Sequence, residues 1–147
     1  MDNDYSRKHK VLIDACQANP MLNNLLSFVF TQSLEGEVWR EVEGYNGEYF
    51  GSNCGRVLSL KWNGYKLLKP YTKDDSDYLF VDLYKDGEGN SIQVSRLIAS
   101  LFIPNPEGKP IVHHKDTNPK NNNVNNLEWV DEEEHRERHA KLREAKK

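Results

Sequence analysis

The stretch PIVHHKDTNPKNNNVNNLEWV, residues 110–130, decides how the rest of the chain is read. Ile111 and Val112 lead a strand into two adjacent histidines. A polar loop, 115–125, follows, and Leu127-Glu128-Trp129-Val130 reads as a second strand. Asp131 with Glu134 three residues on is a capping signature, so a helix starts there. Acidic residues fill its first turn, while Lys141, Arg143, Lys146 and Lys147 crowd its end, the polarity a helix dipole favours. The unit predicted is strand, loop, strand, helix. Histidine and asparagine are poor core fillers, so their density here calls for a reason other than packing.

Neighbours in a strand point to opposite sides, so His113 and His114 face different ways. His135 and His139, four apart, share one face of the terminal helix. If that helix crosses the hairpin, His135 and His139 converge with one member of the pair. Imidazoles bind divalent transition ions and can help hold a magnesium ion on phosphate oxygens. Phosphodiester hydrolysis needs such a set: a base for water, and a cation for charge on the phosphate and the leaving oxygen. Histidine titrates in the right range for the base, provided its ring is held in one tautomer. Asn126, on the facing strand, is placed to make such a contact with His114. The competing reading is an ordinary surface loop, in which Asp116, Asn118, Asn121 and Asn122 only bond their own backbone. Spacing alone leaves both open.

Working outward, the chain has 147 residues, 37% hydrophobic and 29% charged, with a formal net charge of −3. That suits one domain with an appendage, and bulk charge points to no particular partner. Cys16 and Cys54 are too few for a disulfide framework and fit a reducing, cytoplasmic setting. The apolar block 21–30 is short and interrupted by asparagines, so no membrane span is expected. Residues 1–36 read as a helical extension. Asn19-Pro20 starts a helix, Leu22, Leu25, Leu26 and Val29 recur at helical spacing, and Gly36 ends it. The stripe is either core or a docking face. Residues 37–93 read as short strands punctuated by Asn-Gly and Gly-rich turns, with Leu79, Val81 and Leu83 on one face of a strand over 78–84. From Val94 the period turns helical through Leu97, Ile98, Leu101 and Phe102, and Pro104 ends it. Residues 94–147 form the third segment.

RLIASLFIPNPEGKPIVHHKDTNPKNNNVNNLEWV, residues 96–130, resembles the HNH endonucleases of the homing type found in phages and mobile introns. EVWREVEGYNGEYFGSNCGRVLSL, residues 37–60, resembles the small module that commonly precedes that nuclease. The resemblance implies an α+β fold. A ββα-metal (His-Me finger) core would follow a small β-rich DNA-binding module and an N-terminal helical arm. It implies metal-dependent hydrolysis of DNA, nicking to 5′-phosphate and 3′-hydroxyl ends, in a bacterial or phage-infected cell. Position by position, His114 matches the general base and Asn126 the residue that orients it. His113 and His135 match the metal ligands, and His139 resembles a further helix histidine of bacterial toxin nucleases of this superfold. Mg2+ is the first choice of ion, with Zn2+, Mn2+ and Ni2+ as alternatives. Thr117 departs from the usual loop glycine and Ser95 from a frequent histidine. The sequence ends at Lys147 without the helix-turn-helix module of some relatives, so the expected recognition site is not a long one.

Double-stranded DNA is the expected partner, and homodimerisation is left open. Arg56, Lys61, Lys66, Lys69 and Lys73, interleaved with Trp62, Tyr65 and Tyr71, suggest a β-ribbon laid in a groove. Arg96, Arg136 and Arg138 are further candidates for phosphate contact, chiefly a source of salt-dependent affinity. Two rival functions remain on the same fold: a catalytically silent DNA-binding protein, and a structural zinc module held by His113, His135 and His139.

Overall fold

The structure, a computed structural model, describes residues 10–18, 25, 28, 32–61 and 64–145. Asn19-Pro20 and the stripe positions Leu22, Leu26 and Val29 lie outside the described residues, as do Trp62, Lys146 and Lys147, and the side chain of Arg143 is likewise not described. A helix α1 (Lys10–Ala18) precedes a four-stranded antiparallel sheet, β1 (Trp39–Glu41), β2 (Tyr49–Ser52), β3 (Val57–Ser59) and β4 (Lys66–Leu67), in the order β1-β2-β3-β4. A three-stranded antiparallel sheet follows, β5 (Tyr71–Thr72), β6 (Leu79–Lys85) and β7 (Glu88–Gln93). Helix α2 (Val94–Phe102) leads to the hairpin β8 (Ile111–His114) and β9 (Leu127–Val130), and α3 (Glu132–Ala145) closes the chain.

The short sheet is covered on both faces, which is why its strands read as continuous apolar pairs and not as clean alternation. Tyr49 and Val57 turn toward α2, whereas Phe50 and Leu58 turn to the opposite side with Trp39 and Leu60. Leu12, Leu25 and Phe28 close that second side, so these members of the N-terminal segment are core, not an open docking face. Gly51 lets α2 come close. A Cβ there would stand 2.6 Å from Leu101 Cδ1 and 3.1 Å from Ile98 Cδ1.

Helix α2 is the common support. Val94, Leu97, Ile98 and Ala99 are buried in one cluster with Val42, Tyr49 and Val57 of the first sheet. The same cluster holds Val81 and Leu83 of β6, and Val112 and Leu127 of the hairpin. The segments on either side of residue 94 therefore share one core. The Tyr49 hydroxyl adds a polar tie by accepting from the Tyr84 backbone N–H at 2.9 Å. In β6, Val81 and Leu83 are buried and Asp82 and Tyr84 exposed, the period-2 pattern expected of a half-covered strand.

At the start of α3 the capping box forms as its sequence predicts. Glu134 N–H donates to Asp131 Oδ1 at 2.8 Å, and Asp131 N–H donates to Glu134 Oε1 at 3.2 Å. Strands β1, β4 and β5 are two or three residues long, too short to carry a readable pattern.

Candidate active site

The hairpin register pairs Ile111 with Val130, Val112 with Trp129, His113 with Glu128 and His114 with Leu127. Alternation then sends the two histidines to opposite sides, each into its own hydrogen-bonded setting. His113 and His114 are 7% and 6% exposed, so neither is a surface residue.

On the helix side, the His113 ring centroid lies 6.1 Å from those of both His135 and His139. The His135 and His139 rings are 4.4 Å apart, with their Nε2 atoms at 3.0 Å. Two lone pairs at that distance repel, so either one ring donates its N–H to the other or both nitrogens turn to a shared cation beside the line between them. Glu128 Oε1 lies 3.1 Å from His113 Nδ1 and accepts 2.7 Å from Arg138 Nε. With Nδ1–H donating to the carboxylate, His113 is left with its Nε2 lone pair, the arrangement found behind metal-bound histidines. Burial pushes His113 below its usual pKa; Glu128 pulls upward, and the neighbouring imidazoles add to the lowering. Burial also works against the Glu128 carboxylate, but Arg138 and His113 outweigh it and hold it below the usual range.

On the other side, His114 Nε2–H donates to Asn122 Oδ1 at 2.8 Å, which leaves the lone pair on Nδ1. The Tyr78 ring packs 5.8 Å from the His114 ring. Tyr78, Val112, His113, His114, Thr117, Pro119, His135 and His139 line one small pocket.

The asparagine run builds the loop that supplies Asn122. Asn118 N–H donates to Asp116 Oδ1, Lys120 N–H to Asn118 Oδ1 and Asn125 N–H to Asn123 Oδ1, each a two-residue side-chain turn. Asn121 Nδ2 and Asn126 Nδ2 both donate to the Asp116 carboxylate at 2.8 Å. The Asn121 amide, the Asn118 N–H and Asn126 together hold the Asp116 carboxyl below its ordinary value. The surface-loop reading was thus correct in part: the asparagines do bond locally, and by doing so they place Asn122.

Thr117 carries φ +66°, a left-handed backbone that a β-branched side chain resists. Thr117→Gly is therefore expected to raise stability by about 0.5–1 kcal/mol, net of the extra chain entropy glycine loses. Thermal unfolding of the two proteins side by side checks it; a lower midpoint for the glycine form would show that the threonine side chain contributes more than the strain costs.

The structure reassigns three sequence-predicted residues. Asn126 does not hold the His114 ring. Its Oδ1 accepts from Asp116 N–H at 2.9 Å and its Nδ2 serves Asp116 and the Asn121 carbonyl, because the 3-10 turn Val124–Asn126 directs the amide into the loop. Arg138 is bound to Glu128 behind the site, not free for phosphate. Arg56 is part of the first sheet's frame. Its Nε donates to Glu37 Oε2 at 2.9 Å, its Nη2 reaches the Gln32 carbonyl, and its guanidinium lies over the Trp39 ring. Arg56→Ala would strand the fully buried Glu37 carboxylate and is expected to cost about 3–5 kcal/mol. Urea unfolding measures this, and a loss below about 1 kcal/mol would return Arg56 to the list of DNA contacts.

Of the other candidates, Lys61 is paired with Glu48 at 2.6 Å, and Arg96 donates to the Pro110 carbonyl at 2.7 Å. Lys73 lies over the Phe80 ring, while Lys66, Lys69 and Arg136 are exposed. The sequence reading missed Asn122 and Glu128. Glu128 had a signal, since the hairpin register sets it directly across from His113. Asn122 had none, being one asparagine among several.

Residues 37–84 match the family model described as the NUMOD4 motif, and residues 93–137 match that described as HNH endonuclease. Residues 93–137 are an HNH endonuclease segment. Among HNH relatives, DNA endonuclease I-HmuI of Bacillus phage SP01 is 41% identical over 92 residues, 63% of this chain and 51% of that protein. H-N-H endonuclease F-TflII of Escherichia phage T5 is 37% identical over 60% of this chain and 46% of its own length. An uncharacterized HNH endonuclease, L245 of Acanthamoeba polyphaga mimivirus, is 38% identical over 67% of this chain and 29% of its own. A solved structure of DNA binding and cleavage by the HNH homing endonuclease I-HmuI superimposes with a TM-score of 0.63. That match is 39% identical and covers 71% of this chain and 58% of that one. The α+β HNH fold is thus the fold of this chain, which spans about half the length of the phage SP01 relative.

HNH nucleases use a divalent metal ion. Among the described residues no set of three His, Cys, Asp or Glu side chains is already closed around one point. The chemistry of the donors nevertheless fits an ion. Nitrogens bound at roughly 2.1 Å and at right angles on one cation lie about 3.0 Å apart, the separation the His135 and His139 nitrogens already have. His113, with Glu128 behind it, would be the third donor. Among the described residues no helix is long and apolar enough to cross a membrane.

Proposed function

We propose that the chain is a metal-dependent endonuclease that nicks double-stranded DNA, leaving 5′-phosphate and 3′-hydroxyl ends. The observation that carries this reading is the pair of settings on one hairpin. His114 is fixed by Asn122 in the tautomer that frees Nδ1, while His113 meets His135 and His139, and all four histidines line one small pocket. His114 Nδ1 takes a proton from the attacking water. Its Nε2–H stays on Asn122 through the step, so the ring does not swing as it becomes imidazolium. His113, His135 and His139 hold the cation, and Glu128 with Arg138 fixes the His113 ring. The bound ion supplies stabilisation of charge on the scissile phosphate and the departing 3′ oxygen.

An all-imidazole set favours Zn2+ or Ni2+ over Mn2+ and Mg2+, which prefer oxygen. The structural-zinc alternative is disfavoured because the hairpin already has its own anchor: Val112, Leu127 and Val130 are buried in protein. The exposed Lys66, Lys69 and Arg136 remain candidates for phosphate contact. Supercoiled plasmid incubated with each ion, with and without chelator, tests the activity. Open circles that require the ion support nicking; linear product would mean paired cuts, and no product with any ion would leave a silent DNA binder.

A further inference from the structure

The turn 52–56 of the first module sits directly against the loop that holds the candidate base. Asn53 is tied into its own module on three sides. Its Oδ1 accepts from Val38 N–H at 2.7 Å, its Nδ2 donates to the Gly36 carbonyl at 3.1 Å, and its N–H donates to the Val38 carbonyl at 3.1 Å. The Asn53 carbonyl then accepts from Val124 N–H at 2.9 Å, a bond that crosses into the HNH segment. Two residues on, Gly55 has φ +89°, and a Cβ there would stand 2.9 Å from both the C and O atoms of Asn122. Those are backbone atoms, which cannot swing aside as a side-chain end can. Asn122 is itself 5% exposed, and its Oδ1 is the acceptor for His114 Nε2–H.

We propose that the turn at Asn53 and Gly55 is a positioning element for His114, acting through Asn122 across the junction of the two modules. The glycine is required twice over, by a left-handed backbone and by contact with the Asn122 peptide. The module ahead of the nuclease segment thus contributes to the chemistry as well as to any grip on DNA. Cleavage geometry is sensitive to small displacements, so moving Asn122 by tenths of an ångström misdirects the His114 ring. This inference rests on the reading of His114 as the base.

The test compares Gly55→Ala with Gly44→Ala in the full chain. Gly44 has the same φ of +89° but nothing within 4 Å of its Cβ position, so it carries the strain without the contact. With saturating plasmid and Mn2+, Gly55→Ala is expected to lower the nicking rate constant about tenfold to a hundredfold, with DNA affinity within about twofold. Gly44→Ala should stay near the parent in both. Long-range 15N–1H spectra should show the His114 Nε2–H tautomer weakened in Gly55→Ala and retained in Gly44→Ala. Equal rates and unchanged His114 signals in the two variants would overturn the proposal.

Should Gly55→Ala fail to fold, Asn53→Ala loosens the turn from the module side. It should slow nicking, and Asn53→Asp, which keeps the acceptor for Val38, should restore it. Asn53→Ala at the parent rate would count against the proposal as firmly. His114→Ala run alongside separates the two readings: if it still nicks, the base assignment fails, while the spectra still report whether the turn governs the ring.

Discussion

His114→Ala should abolish strand cleavage while leaving DNA affinity within about twofold. Loss of a positioned general base costs about 10²–10⁴ in rate, and no other described histidine is placed to substitute. His113 lies on the opposite face of β8, with its Nδ1 engaged by Glu128. His135 and His139 face each other at 3.0 Å. The side chain of His114 is buried and its Nε2 partnered, so the alanine form also leaves Asn122 Oδ1 without a donor. A melting curve must accompany the plasmid assay, so that lost activity is not lost fold. Binding is read by fluorescence anisotropy at fixed salt, because phosphate contacts make affinity strongly salt-dependent. Undiminished nicking by a folded alanine form would remove His114 from the mechanism.

Disturbing the support behind the proposed metal ligands should have the next largest effect. Glu128→Ala removes the carboxylate that fixes the His113 tautomer and leaves Arg138 without its main partner. Partners of this kind typically contribute about 10–100-fold in metal affinity. Titration calorimetry with Zn2+ or Mn2+ should show a weakening of that size, and nicking at limiting ion should fall with it. At saturating ion the rate should largely return, because the ligands themselves are intact. His135→Ala, which deletes a proposed ligand, should not be rescued by excess ion. Calorimetry indistinguishable between parent and Glu128→Ala would mean that Glu128 only neutralises Arg138.

Acid should act on the same assembly through the loop. The Asp116 carboxyl is held low by Asn121, Asn118 and Asn126, so its folded pKa lies below its unfolded one. Its contribution is present above the unfolded value and is lost as pH falls through the folded one. Exchange of the Asn118 backbone N–H and of the Asn126 side-chain amide should therefore stay protected into the acid range and be lost below it. Loss of protection already near neutral pH would mean that Asp116 is not the anchor.

Much of this molecule was decided by short-range chemistry. The capping box at Asp131, the alternation over 79–83, the helical period from Val94 and the hairpin strands each depend on neighbours within a few residues. The split of His113 and His114 to opposite faces followed from the pleat of a single strand. The asparagine turns are equally local, since each side chain bonds a backbone group two residues ahead.

Tertiary structure alone decided which of several similar residues does which task. Asn122, not Asn126, meets His114, because the loop folds back through Asp116 and a 3-10 turn. Arg56 and Arg138 look like free cations in sequence, yet each finds a carboxylate brought to it by packing, Glu37 and Glu128. Gly55 and Asn122 are 67 positions apart in numbering, and only a core shared across residue 94 presses one onto the other. Period and capping are properties of a segment. Pairing of distant polar groups depends on register and close approach, which exist only once the segments have packed.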